Sequence, residues 1–336
     1  MTTSDDDRST LLVPSGPTLL DYTTGAITEI LRFLQATIEE MQTVRLLPQL
    51  GHAIPLEQLY IPVKVSQKRL RNLAEDRAAE GRRLRGEHEE QRAFATRGEE
   101  DFLRSAKERE EIVLQWERAR QQFLKAVILG DPGQGKTTLL RWEAWKVATE
   151  SLTKLQTNEA SPSTVEIPLF VRLAEVAVSG KSLLDFVRER LRSQGYSDRF
   201  LQWLTTAISR GQVVFLLDAL DEVQDHTWRQ SLNDTFNVLL SNVDTAQCRY
   251  LLSTRIVGYD GCAVEQRGKA LELVAFGPKE SERFAHAWFG DDETSQQGFL
   301  HAIRTNPSLQ GLTGNPLLLA LLCTVYRQNG DYQTAR

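Results

Sequence analysis

The sequence predicts an α/β fold: a parallel sheet flanked by helices, preceded by a mainly helical N-terminal region and followed by a small helical subdomain. Three observations predict it. Short apolar strands at 126–129, 167–171, 213–217, 250–253 and 270–274 alternate with helical patterns that start near Thr137 and recur at 183–191 and 200–209. Strands that read as unbroken apolar runs are those buried on both faces, as in parallel sheets. The first strand also feeds directly into a glycine-rich turn and a helix, and after Pro278 only helical patterns remain, at 280–289, 299–303 and 317–326.

The turn reads Gly130-Asp131-Pro132-Gly133-Gln134-Gly135-Lys136-Thr137-Thr138. Strand, G-x-x-x-x-G-K-[ST] and helix together make a phosphate loop, the P-loop of nucleoside triphosphate-binding proteins. Gly130, Gly133 and Gly135 permit backbone angles that aim successive N–H groups at one anion. Lys136 supplies a point charge for the β- and γ-phosphates, Thr137 a hydroxyl for Mg²⁺, and the following helix its positive dipole end.

The strand 213–217 ends at Asp218, followed by Ala219-Leu220-Asp221-Glu222. A carboxylate at the carboxyl end of a buried strand can hold Mg²⁺ opposite Thr137. Asp221 and Glu222 lie close enough to activate a water, with Glu222 preferred as the base and Asp221 the alternative. A third strand ends in Ser253-Thr254-Arg255, and its arginine is a candidate for sensing the γ-phosphate. ATP is expected rather than GTP, because no Asn-Lys-x-Asp base-reading motif follows Asp218. The lack of a Ser-Gly-Gly signature excludes transporter-type ATPases.

The remainder of the chain is plainer. Residues 1–17 are expected to be disordered. Ile27, Ile30, Leu31, Leu34, Ile38 and Met41 recur at helical spacing, predicting an amphipathic helix packed against the chain itself. Residues 59–65 form a short extended piece that Pro62 confines to a sheet edge or to no sheet. Residues 66–122 alternate basic and acidic side chains without an apolar heptad, which predicts solvated helices rather than a coiled-coil stalk, with 114–123 packing on the core. The domains are therefore an N-terminal region at 18–122, a nucleotide-binding domain at 123–277 and a helical domain at 278–336.

A net charge of −5, from 40 basic and 45 acidic residues, offers no footprint for nucleic acid or an anionic membrane. Cys248, Cys262 and Cys323 lack metal-ligand spacing and suit packing in a reducing compartment. With no secretory leader and no apolar run near ~20 residues, a cytoplasmic protein is expected.

In order, the blocks Gly130 to Arg141, Leu216-Leu217-Asp218-Ala219-Leu220-Asp221-Glu222 and Ser253-Thr254-Arg255 with Gly258-Tyr259 resemble those of the NACHT family, a branch of the STAND NTPases. The small residue after the magnesium aspartate, then Asp221-Glu222, is a hallmark of that family. Residues 167–176 and Trp288-Phe289 are similar to further family blocks. Gly314-Asn315-Pro316-Leu317-Leu318-Leu319 resembles the motif whose proline contacts the nucleotide's base and sugar, so the resemblance implies that role for Pro316. It covers about residues 126–328.

The resemblance implies a switch: ADP holds a closed state, and exchange for ATP allows homo-oligomerisation and presentation of an effector, in bacterial defence or signalling. It also implies a following winged helix with a histidine and sensor repeats. The sequence stops at Arg336, so a fragment or an unusually short member is expected, and neither His286 nor His301 takes the histidine's place. Slow ATP hydrolysis is expected, since no arginine finger in trans is visible. The competing reading is an AAA+-like ATPase remodeller acting on nucleic acid or protein. A scaffold that merely holds nucleotide is disfavoured by the intact Lys136, Thr137, Asp218 and Glu222.

Overall fold

The computed structural model describes residues 19–44, 54–67, 112–223, 226–241, 247–256, 259, 266 and 268–329. The expected disorder at 1–17, most of the charged segment 66–111, Cys262, Gly258 and the last seven residues lie outside these.

Strands β1 (Thr43–Val44) and β2 (Ile54–Pro55) form a small antiparallel hairpin beyond helix α1 (Leu19–Met41). After helix α2 (Leu56–Leu59) come β3 (Lys64–Gln67), β4 (Ile112–Gln115), α3 (Trp116–Gln122), β5 (Lys125–Leu129) and α4 (Lys136–Gln156). Then follow β6 (Ile167–Arg172), α5 (Leu173–Ser179), α6 (Leu183–Ser193), α7 (Asp198–Ser209) and β7 (Val213–Asp218). A 3₁₀ turn (Leu220–Glu222), α8 (His226–Ser241), β8 (Arg249–Thr254) and β9 (Lys269–Leu273) complete the α/β part. The chain continues through α9 (Pro278–Phe289), α10 (Glu293–Thr305), α11 (Pro307–Leu312) and α12 (Pro316–Asn329).

Seven strands lie in the order β4-β3-β9-β5-β8-β7-β6. The five from β9 to β6 are parallel, and β3 and β4 add antiparallel strands at one side. Period-two alternation divides the core between the two faces. Val127, Leu129, Val213, Phe215 and Leu217 face one apolar cluster, Ala126, Ile128, Val214 and Leu216 the other. Phe215 and Tyr250 stack at 4.9 Å between ring centres, joining β7 to β8 inside the first cluster. At about 1.5–3 kcal/mol for each large side chain fully buried, these strands anchor the fold.

Two expectations change. The piece around Pro62 is not at an edge: Lys64–Gln67 pairs with β4 on one side and β9 on the other. Pro62 precedes the ladder, so its missing N–H costs no sheet hydrogen bond. The charged segment 66–122 also ends in a strand, since Ile112–Gln115 pairs with β3 before α3 begins. Trp116 then donates its backbone N–H to Val63 O at 3.0 Å and is itself buried.

Helix α1 packs within the chain as its periodicity predicts. Ala26, Ile30, Phe33 and Leu34 are buried in the same cluster as Phe200 and Tyr196. Glu29 accepts from Ser197 N at 2.9 Å, while Arg32 donates to Gly195 O at 2.9 Å and lies 4.1 Å over the Tyr196 ring. At its far end, Arg141 of α4 donates to Glu40 O and Thr43 O at 2.7 and 3.0 Å, supplying positive charge where the helix dipole is negative. A second tie is the fully buried Glu143 carboxylate of α4, which accepts from Trp116 Nε1 at 2.7 Å and pairs with Arg120 Nε at 3.0 Å. Cys248 and Cys323 are buried, as packing residues would be. No helix among the described residues is long and apolar enough to cross a membrane.

Candidate functional site

The site forms where β5, β7 and β8 end. Their parallel register brings the loop after β5, Asp218 and the tip of β8 to one edge of the sheet, where open α/β sheets bind ligands. Strand β8 lies between β5 and β7, so Arg255 emerges between the phosphate loop and the acidic turn.

In the loop, Gly133 and Gly135 adopt φ of +79° and +90°, angles that favour glycine. Helix α4 starts at Lys136, immediately beyond Gly135. The Lys136 ammonium folds back to donate to Gly130 O at 2.7 Å and Asp131 O at 3.0 Å, across the mouth of the loop. Gln134 reaches inward as well, its side-chain oxygen accepting from Asp131 N at 2.8 Å. Burial lowers the Lys136 pKa below the ordinary lysine value, with Asp221, Asp218 and Asp131 opposing that shift and Arg255 adding to it.

Thr137 Oγ1 lies 3.0 and 3.1 Å from the two carboxylate oxygens of Asp218. A hydroxyl facing a buried carboxylate is a donor set of hard oxygens suited to Mg²⁺, which is commonly held by one or two carboxylates together with substrate phosphates. Thr138 continues the first turn of α4.

Asp218 is held from behind by a residue that motif reading alone passed over. Ser253 donates through Oγ to Asp218 Oδ1 at 2.6 Å and accepts from Ala219 N at 2.8 Å. Its side chain thereby fixes both the carboxylate and the next peptide. Ala219 sits at φ +60°, ψ +60°, a left-handed conformation that a bulky or β-branched side chain would make costlier. This is the physical reason for a small residue directly after Asp218.

Asp221 and Arg255 are paired: Arg255 Nε lies 2.7 Å from Asp221 Oδ2, and Arg255 N donates to Asp221 Oδ1 at 3.2 Å. Glu222 is exposed at the end of the 3₁₀ turn. The preferred base Glu222 and its alternative Asp221 differ in setting, because Asp221 carries the arginine and Glu222 is exposed.

The helical part closes over the other side of the loop. Asn315 Nδ2 donates to Pro132 O at 2.9 Å, and Leu317 N donates to Gly133 O at 3.2 Å. A Cβ on Gly133 would come within 2.6 Å of Asn315 Oδ1, so glycine is required there for space as well as for angle. Pro316 opens α12 beside these contacts. The fit of Asn315 to the loop was invisible in the sequence, since 183 residues separate it from Pro132.

Among solved structures, the chain is similar to AMPPCP-bound DnaA from Aquifex aeolicus, with 12% identity over 61% of this chain and 55% of that one, at a TM-score of 0.35. It is also similar to the RuvB Holliday junction branch migration motor of Thermotoga maritima, with 13% identity over 61% and 54% of the two chains, at a TM-score of 0.34. The chain spans about half the length of these structures. No curated protein matches. The family profile described as NACHT domain matches residues 125–292, half of the chain and the span from β5 through the start of the helical part. The chain belongs to the NACHT domain family, on the sheet and phosphate loop of a P-loop NTPase.

Proposed function

We propose that this chain is a nucleotide-operated switch: it binds ATP or ADP with Mg²⁺ at the phosphate loop, hydrolyses ATP slowly and changes its assembly state with the nucleotide bound. The observation that carries this reading is the convergence of Lys136, Thr137, Asp218 and the Asp221–Arg255 pair at one sheet edge. In this reading, the loop amides from Gly130 to Thr138 cradle the phosphates and Lys136 turns from Gly130 O and Asp131 O to them. Thr137 and Asp218 hold Mg²⁺, which when bound neutralises charge on the β- and γ-phosphates. Glu222 orients or deprotonates the attacking water, and Arg255 reads the γ-phosphate. Pro316, at the loop's rim, faces the nucleoside.

Slow turnover is part of this reading, and the pairing of Arg255 with Asp221 supports it. In this reading the chain divides into an N-terminal region at 18–122, which lends β3 and β4 to the sheet, a nucleotide-binding domain at 123–277 and a helical domain at 278–336. Signalling or defence in a cytoplasmic setting, with an oligomeric ATP state, fits the family and is part of this proposal. The test is turnover by the purified chain with Mg²⁺ and ATP, alone and with DNA. Tight binding with a rate far below the ~10 s⁻¹ typical of enzymes supports a switch. Fast turnover stimulated by DNA would replace it with a remodelling ATPase.

A further inference from the structure

We infer that Asn315 is a positioning residue of the phosphate loop, whose side-chain amide sets the direction of the loop peptides that receive the phosphates. This rests on the nucleotide site proposed above and names a residue of the helical part as one of its working members.

In a planar trans peptide the C=O and N–H point in opposite directions, and no cis bond occurs in the described chain. The peptide linking Pro132 to Gly133 has its oxygen held by Asn315 Nδ2 at 2.9 Å. The next peptide, linking Gly133 to Gln134, has its oxygen held by Leu317 N at 3.2 Å. Two successive carbonyls therefore face α12, and the N–H groups of Gly133 and Gln134 are turned away from it. Gln134 N confirms that direction, pointing across the loop to Asp131 O at 3.3 Å. Successive amides turned to one side are what an anion-binding loop requires.

Asn315 can hold this arrangement because it is held itself. Its Oδ1 accepts from Leu317 N at 3.0 Å and Leu318 N at 3.3 Å, capping α12. That leaves Nδ2 aimed at the loop. The preceding residue is tied too, with Gly314 O accepting from Phe276 N at 2.9 Å just beyond β9. The same side chain thus ends one structural unit and orients another. Seating of α12 and binding of a polyphosphate become one coupled event: whatever lifts the helical part releases the two carbonyls, and whatever fills the loop favours their present direction.

The cap and the latch are separable. Asn315→Ser and Asn315→Thr retain a helix-capping oxygen but are too short to reach Pro132 O. Asn315→Ala removes both. In the full chain, titrated with inorganic pyrophosphate and with MgADP, the Ser and Thr variants are expected to bind both about five-fold more weakly, the scale of one lost hydrogen bond. Their melting temperatures without ligand should match wild type, while that of Asn315→Ala falls. Affinity for pyrophosphate equal to wild type in folded Ser and Thr variants would overturn the inference and leave the nucleotide site standing. An affinity loss that appears only in Asn315→Ala, in step with its melting temperature, would reduce Asn315 to a cap. Failure of wild type itself to bind either probe would overturn the site and the inference together.

Discussion

Arg255 and Asp221 form a two-point contact, the guanidinium Nε 2.7 Å from one carboxylate oxygen and the Arg255 backbone N–H 3.2 Å from the other. The arginine that would meet a γ-phosphate is therefore already engaged by the acidic turn. Binding of triphosphate must compete with Asp221 for it, so the two nucleotides should differ in how they leave this pair. Asp221→Ala is expected to change the ratio of ATP to ADP affinity, measured by titration, while Glu222→Ala leaves that ratio alone. Glu222→Ala should instead lower hydrolysis by about 10²-fold or more, the usual scale for a lost general base. If Asp221→Ala abolishes hydrolysis and Glu222→Ala does not, the two roles are reversed.

Ser253 stands behind Asp218 much as outer-shell groups stand behind metal ligands. Ser253→Ala removes a 2.6 Å hydrogen bond to the carboxylate and the acceptor for Ala219 N. The Mg²⁺ concentration giving half-maximal nucleotide binding should rise about ten-fold, the low end of such effects. Binding measured in EDTA should change little. Equal losses with and without Mg²⁺ would mean that Ser253 supports the loop rather than the metal site.

Burial lowers the pKa of Lys136 below the ordinary lysine value of 10.5. Polyphosphate binds the protonated ammonium. Nucleotide affinity should therefore be full below the depressed value and fall as pH rises through it, before an ordinary lysine would titrate. Dissociation constants measured across alkaline pH check this, and an affinity that first falls at or above the ordinary lysine value of 10.5 contradicts it.

Glu143 joins helix α4 to the segment before β5. Its carboxylate is fully buried, accepts from Trp116 Nε1, pairs with Arg120 at 3.0 Å and lies 3.7 Å from Arg249 Nη2. Glu143→Ala leaves that indole N–H and the Arg120 guanidinium without their carboxylate. Loss of one side of such a buried pair costs about 3–5 kcal/mol. Urea unfolding of the nucleotide-free chain should show a loss on that scale, and a change under 1 kcal/mol would contradict the network.

Much of this was readable from residues alone, and what was not has physical reasons. Strand β7 announced itself, because burial on both faces leaves an unbroken apolar run from Val213 to Leu217, whereas β9 carries Glu272 among its apolar residues and is only partly buried. The phosphate loop did so because its chemistry needs particular residues at fixed spacing. Ile112–Gln115 carried no such signal: four residues, largely exposed, become a strand only because Lys64–Gln67 offers an edge. Pro62 misled for a related reason, since the ladder starts two residues later. Helix α8 also went unread; its mixed run from His226 to Ser241 buries Leu232, Phe236 and Leu240 within a polar stretch. Ser253 and Asn315 are ordinary polar residues by type, and only the tertiary fold reveals what their hydrogen bonds reach.

Every role proposed for the site depends on Lys136 and its loop holding a nucleotide. Calorimetric titration of the wild-type chain and Lys136→Ala with MgADP and a non-hydrolysable ATP analogue tests it most directly. Wild type is expected to show saturable one-site binding and Lys136→Ala no detectable binding, with both proteins showing the same far-UV circular dichroism. Equal affinity in a folded Lys136→Ala variant would contradict it.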